Sequence, residues 1–323
     1  MQYKEIKGLL SREILPELKP ILDFFSESID NAVNFGTNLL KWDIDKKLIG
    51  DEHIAPIMFL RNILEIADGI SILVKSSSID TCYPLQRSLT ENVLGLKYLL
   101  ESEETFKNRS LSYIVWLTQK DLKLCEKFDS TTQNGKQLQK EISKDKLVGD
   151  KYILKSNKHY EALKTISNGL LKLTQYQPIN KEYLRTSKKT KNPNWYSLFS
   201  GPRNIESLAK HLELHATYEI NYRYLSGKVH ATDIIKKKIV QDKNNMASII
   251  QIRDCDEAQG VTSNTLNFLL MAIIEYKKRI PQKSSDFKNW YSEFGKIFKE
   301  INKRKFFKVD KSLMPTTRNS MYR

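Results

Sequence analysis

Glycine and proline are scarce in this chain, 12 and 9 of 323 residues, and the few glycines form no phosphate-cradling loop. Together with the lack of any alternation of strand and helix patterns, this excludes a nucleotide-binding α/β fold. Cysteine is scarcer still. Cys82, Cys125 and Cys255 stand far apart and in no metal-ligand spacing, which excludes a disulfide scaffold, leaves no zinc set and suits a reducing compartment. Long apolar runs are missing too: Ile54–Val74 is broken by Arg61, Glu65 and Asp68, and Leu266–Tyr276 is too short to span a bilayer. The first twenty residues hold no uninterrupted apolar core of the signal-peptide kind. The expectation is a soluble cytoplasmic protein with no membrane partner.

Acidic residues are the other shortage. Asp and Glu number 38 against 53 Lys and Arg, giving a net charge of +15 and a pI near 9.4. Such an excess favours a polyanionic partner, RNA or another nucleic acid, over a merely solvated lysine surface only where the charges cluster. A 40% hydrophobic content with 10% aromatics marks a globular chain.

What is abundant is apolar spacing of three and four. Leu85, Leu89, Val93, Leu96 and Leu100 share one helical stripe, and Pro20, Pro56 and Pro84 each stand near the start of such a segment. The pattern predicts helices over 4–14, 17–42, 53–77, 84–101, 103–127, 133–145, 149–173, 203–212, 214–231, 260–281 and 284–303. Ile234–Asp254 is rich in β-branched residues and reads as either a short hairpin or an irregular excursion. Tyr176–Pro202, with its QPIN, KKTKNPN and SGP stretches, reads as a long basic loop. The fold class is all-α: a compact multi-helix bundle forming one domain over 1–302, with its core at about 50–280. A basic tail, 303–323, is either disordered or an arm for a partner.

One predicted helix concentrates chemistry. At 100° per residue, Arg223 and His230 lie within about 20° of each other, with Ser226 and Glu219 within roughly 60° of Arg223. An arginine fork suits a phosphate and a histidine carries protons near neutral pH; the duller reading is an Arg223–Glu219 ion pair. Tyr218, Tyr222, Ser226 and His230 form a stripe of hydrogen-bonding side chains, suited to a polar cleft or to an interhelical seam. On the helix 84–101, Arg87 and Glu91 sit one turn apart beside Leu94 and Tyr98, as an anion site or as a structural pair. Arg61 and Glu65 repeat that spacing and read as structural. His211 and His215 lack a third metal ligand, His53 and His159 are isolated, and no Ser-His-Asp or Cys-His set is present. Basic runs surround the candidate helix: Lys188 and Lys189, followed by Trp195 as a base-stacking group, and Lys228, Lys236 and Lys237.

The two segments CYPLQRSLTENVLGLKYLLE (82–101) and LAKHLELHATYEINYRYLSGKVHATD (208–233) together resemble a widespread bacterial family of helical proteins classified as a domain of unknown function, over roughly 50–280. Arg223 and His230 also resemble the Arg-x4-6-His motif of the HEPN superfamily, although Tyr224 follows Arg223 where Asn, Asp or His is frequent. That resemblance implies a HEPN-like bundle and a metal-independent endoribonuclease of a toxin or anti-phage system. Arg223 would stabilise the phosphorane charge and His230 would move the proton, with Ser226, Arg87 and Glu91 beside them and Tyr222 and the lysines holding RNA. It implies no cofactor and no metal, and either two copies meeting at one groove or a regulatory protein partner. The alternative is a non-catalytic helical adaptor that binds nucleic acid or a protein in a defence complex.

Overall fold

Helix forms over most of the segments in which apolar residues recur at three and four. The structure, a computed structural model, describes residues 10, 12–148, 158–229, 238–241, 247–303 and 306. They build helices α1 (Lys19–Ile44), α2 (Ile54–Lys75), α3 (Cys82–Leu99), α4 (Glu103–Phe128), α5 (Gln133–Ile142) and α6 (Lys158–Leu171). α7 (Gln177–Ser187), α8 (Ile205–His211), α9 (His215–Tyr218), α10 (Tyr224–Val229), α11 (Ala258–Lys277) and α12 (Ser284–Lys303) follow. None is long and apolar enough to cross a membrane. The all-α expectation holds, and the chain packs as two compact units. The first comprises Met1–Leu48, Pro56–Leu100 and Ala209–Arg323, the second Ile49–Ala55 and Glu101–Leu208.

In the first unit α11 packs against α1, α3 and α12. Its buried residues, from Ala258 and Val261 through Leu266, Phe268 and Ile273 to Tyr276, fall within about half of its circumference, while Gly260, Asn267 and Ile274 stay exposed on the other side, the pattern of an amphipathic helix that turns one face to several neighbours. Its hydroxyls remain satisfied inside the core because Thr262 and Thr265 donate to the carbonyls of Ala258 and Val261. Gln86 of α3 donates to the Val261 carbonyl at 2.9 Å. α2 lies against α1 through a Ser26–Ser71 hydrogen bond and against α3 through Asn62 and Asn92. Gly95 is required at that second contact: a Cβ there would stand 2.5 Å from the Phe59 ring. The ends of α1 and α11 are joined by Asp43, a carboxylate with no solvent exposure, which accepts from Lys46, Tyr276 and Arg279 at 2.8, 2.7 and 2.9 Å.

In the second unit α4 is the organiser, contacting α5, α6, α7 and the 3-10 turns Asp51–His53 and Trp195–Ser200. Leu111 and Val115 of α4 join Leu171, Tyr176, Ile179, Tyr183 and Leu198 in one apolar cluster. α5 starts where the Thr132 hydroxyl accepts from the Gly135 amide at 3.0 Å, an N-cap that satisfies an otherwise unpaired donor.

Three expectations change. The segment read as a loop over 176–202 contains α7, because Pro178 occupies the first turn, where it lacks nothing, and Ile179 and Tyr183 bury one turn apart. The helix predicted over 214–231 is interrupted by a π turn at Glu219–Arg223. Residues 10 and 12–14 are not helical, and the rest of the predicted helix 4–14 lies outside the described residues. Within 234–254 the strands β1 (Ile239–Gln241) and β2 (Ala247–Ile249) pair antiparallel. Of the predicted tail beyond Lys303, only Phe306 is described; its ring packs edge-on to Phe25, centroids 5.0 Å apart, and against Phe24 at 5.7 Å.

Candidate functional site

The stretch from His215 to Val229 runs as α9, a π turn and α10, and it packs against α3. The π turn is defined by the Tyr224 amide, which donates to the Glu219 carbonyl five residues back. A widened turn of this kind is uncommon and frequent at functional sites. Along it the rings of His215, Tyr218 and Tyr222 stack in succession, 6.1 and 5.1 Å between centroids. Glu219 serves two partners: its Oε1 lies 3.2 Å from His215 Nε2 and 3.1 Å from Arg223 Nη1. The Arg223 side chain is 55% exposed, and its guanidinium lies 5.5 Å from the Tyr218 ring centre.

α3 adds the second half. Arg87 Nη2 donates to the Tyr222 hydroxyl at 2.9 Å, and the guanidinium carbon lies 4.3 Å from the ring centre of the same tyrosine. Burial, then the hydrogen bond to Glu91, push the Tyr222 phenol above its ordinary pKa, opposed by Arg87. The phenol therefore stays protonated at neutral pH, accepting from Arg87 and donating to Glu91. The cluster holds two guanidiniums, two carboxylates and a tyrosine on adjoining helices, with the Arg223 and Glu91 side open to solvent. Such a set can grip an oxyanion through fork-shaped donors.

Arg87, Glu91 and Tyr222 are thus brought together, whereas Arg223, the next residue in the chain, contacts Glu219 and Tyr218; Ser226 follows half-buried on α10, next to the buried Leu225. The angular wedge derived for Glu219, Arg223 and Ser226 assumed 100° per residue, and the π turn breaks that phase. His230, Lys236 and Lys237, and the side chain of Lys228, lie outside the described residues. Trp195 is a correction. It is buried in the second unit, edge-on to Tyr113 at 5.7 Å, with the nearby Pro193 carbonyl accepting from the Trp116 indole. An enclosed ring offers no face to a base. Lys188 and Lys189 are exposed residues of that same unit. Arg61 and Glu65 form an exposed i,i+4 pair at 2.7 Å, while His211 stands edge-on to Tyr98 and His53 near Phe106.

Sequence reasoning missed a cleft of about 570 Å³ in the second unit, among whose lining residues are Leu171, Lys181, Glu182, Arg185, Lys188 and Phe199. The spacing Lys181, Arg185, Lys188 on a helix carries the signal, and reading the segment as a loop concealed it.

No curated protein and no solved structure matches the chain. Residues 53–247, which include α2, α3, the cluster around Tyr222 and β1, match the model described as a family of unknown function (DUF5677), and the chain belongs to that family.

Proposed function

We propose that this protein is a metal-independent endoribonuclease of a bacterial toxin or anti-phage system, working in the cytoplasm with a second copy of itself or a regulatory protein. The observation that supports the reading is the convergence of Arg87 and Glu91 of α3 on Tyr222, the residue before Arg223. In this reading Arg223 stabilises the charge that develops on an RNA phosphate as the neighbouring 2′-hydroxyl attacks it, and His230 moves the proton. Arg87 and Tyr222 orient the phosphate, with Ser226 as a further donor and the lysines at 228, 236 and 237 following the backbone. Glu219 occupies Arg223 at rest, so RNA binding exchanges a carboxylate for a phosphate.

Incubating the protein with single-stranded RNA in EDTA tests this. Cleavage persists in EDTA, disappears in His230→Ala with binding retained, and weakens together with binding in Arg223→Ala. Cleavage that requires a divalent ion, or that survives in a folded His230→Ala variant, overturns the mechanism. A second reading, a non-catalytic adaptor that binds nucleic acid, is favoured by the Glu219–Arg223 pair, because a cation with a partner already in place is suited to exchange rather than catalysis. Salt-sensitive RNA binding without cleavage selects it.

A further inference from the structure

The cleft of the second unit combines features that single surface lysines do not. Its floor and walls are largely carbon: Leu171 at the end of α6, Pro178 and Leu184 of α7, and the ring of Phe199. Lys181, Arg185 and Lys188 stand along one face of α7, at steps of four and three. Lys181 and Lys188 have no acidic partner within ion-pair distance among the described residues. Arg185 is held instead of mobile: its Nε and Nη2 donate to the two Glu182 oxygens at 2.7 and 2.8 Å.

Glu182 also fixes the opposite wall. Its Oε1 accepts from the Phe199 amide at 2.9 Å and from the Thr186 hydroxyl at 3.1 Å. Phe199 and Ser200 both adopt left-handed backbone, with φ of 55° and 64°, a conformation uncommon outside glycine and most unusual for a bulky residue. The result is an aromatic ring half exposed to solvent, kept at the cleft by a carboxylate that hydrogen bonds to Arg185 hold at a pKa of about 2. Strain held in place by a polar network is a mark of a binding site.

We propose that this cleft binds a free nucleotide, the base against Phe199 and Leu184 and the phosphates along Lys181, Arg185 and Lys188. The volume falls in the range of small-molecule sites. An exposed aromatic face beside a row of cations is how proteins recognise a stacked base with its phosphate, whereas an acyl chain needs an enclosed apolar tunnel. Glu182 is a positioning residue: it touches no ligand but sets Arg185 and the Phe199 backbone.

Calorimetric titration of the full chain with ATP and AMP tests the assignment, with ribose 5-phosphate, dodecanoate and a 5′-phosphorylated RNA oligonucleotide as comparison ligands. The expected result is one-to-one saturation by ATP, weaker with AMP and weaker again with ribose 5-phosphate. Lys181→Gln with Lys188→Gln should weaken ATP binding at least about tenfold, in line with two lost phosphate contacts. Phe199→Gly should weaken AMP about fivefold or more, as loss of one base stack predicts, while suiting the left-handed backbone and so leaving the fold intact. Failure of ATP to saturate the wild-type chain overturns the proposal. So does affinity unchanged in either folded variant, saturation by dodecanoate alone, or binding of the oligonucleotide but not of ATP. The His230→Ala cleavage assay reads the other unit, so either proposal can fail without the other.

Discussion

Replacing Asp43 by alanine tests whether the junction of α1 and α11 depends on one carboxylate. The Asp43 side chain has no exposure, and Arg279 and Lys46 retain 10% and 21% of theirs. Alanine removes the acceptor for three donors at once. The Tyr276 hydroxyl, in a residue with no exposure, loses its partner at about 1–3 kcal/mol, and stranding the Arg279 charge costs about 3–5 kcal/mol. These do not add, since Lys46 reaches water and Arg279 relaxes toward it; the net expectation is about 3–5 kcal/mol. Because the chain packs as two units, a single unfolding midpoint blends them, and amide hydrogen exchange read by peptide is the better assay. Exchange limited by unfolding of the first unit should accelerate in α1 and α11 by roughly two to three and a half decades, at tenfold per 1.4 kcal/mol. Amides of α4 report separately on the second unit. Asp43→Asn keeps an acceptor for Tyr276 and should fall between wild type and alanine. Burial raises the Asp43 pKa, yet the hydrogen bonds from Lys46 and Tyr276 and the Arg279 charge outweigh it and hold it below 3.8. The contribution is therefore complete above pH 3.8 and fades as pH falls below that value toward the depressed folded pKa. Protection in α11 unchanged within a factor of five in Asp43→Ala would refute the reasoning.

Gly95→Ala should destabilise the first unit by about 1–2 kcal/mol in denaturant unfolding, because the clash with Phe59 exceeds the roughly 1 kcal/mol gained in helix propensity; adding Phe59→Leu should recover most of the loss. Glu182, whose folded pKa of about 2 lies below its ordinary 4.5, stabilises the second unit fully above pH 4.5 and loses that contribution as pH falls toward 2. Near the surface this amounts to about 1–2 kcal/mol, and Glu182→Gln should remove the acid-dependent change in exchange of the Phe199 amide. Arg61→Ala, which breaks an exposed pair, should shift stability by less than about 1 kcal/mol. Glu219→Gln should raise RNA affinity several-fold in a low-salt binding assay by releasing Arg223, and unchanged affinity counts against RNA contact there.

Long amphipathic helices were legible from spacing alone. The expected 53–77, 103–127 and 284–303 appear as Ile54–Lys75, Glu103–Phe128 and Ser284–Lys303, because burial of one stripe dominates their energetics. α7 was hidden by its own punctuation, since a proline that opens a helix looks in sequence like one that breaks a loop. Arg87 and Glu91 were expected beside Arg223, His230 and Ser226, and they do meet the 214–231 segment, but the partner at the contact is Tyr222. The π turn left no trace, because the four-residue step from Tyr218 to Tyr222 fits either winding. Trp195 misled for a different reason. Its basic neighbours suggested exposure, whereas its environment is decided by Tyr113, more than eighty residues away in sequence.

The central place of α11 has a consequence for synthesis. α1 leaves the ribosome roughly 210 residues before α11 begins, which at about 5–20 residues per second means roughly 10–40 s without its principal partner. All of the second unit except its short Ile49–Ala55 segment is one continuous stretch made within that interval. It can therefore fold while the faces of α1 and α3 that α11 later covers remain open, and those faces are where chaperones, or aggregation, would act on the nascent chain.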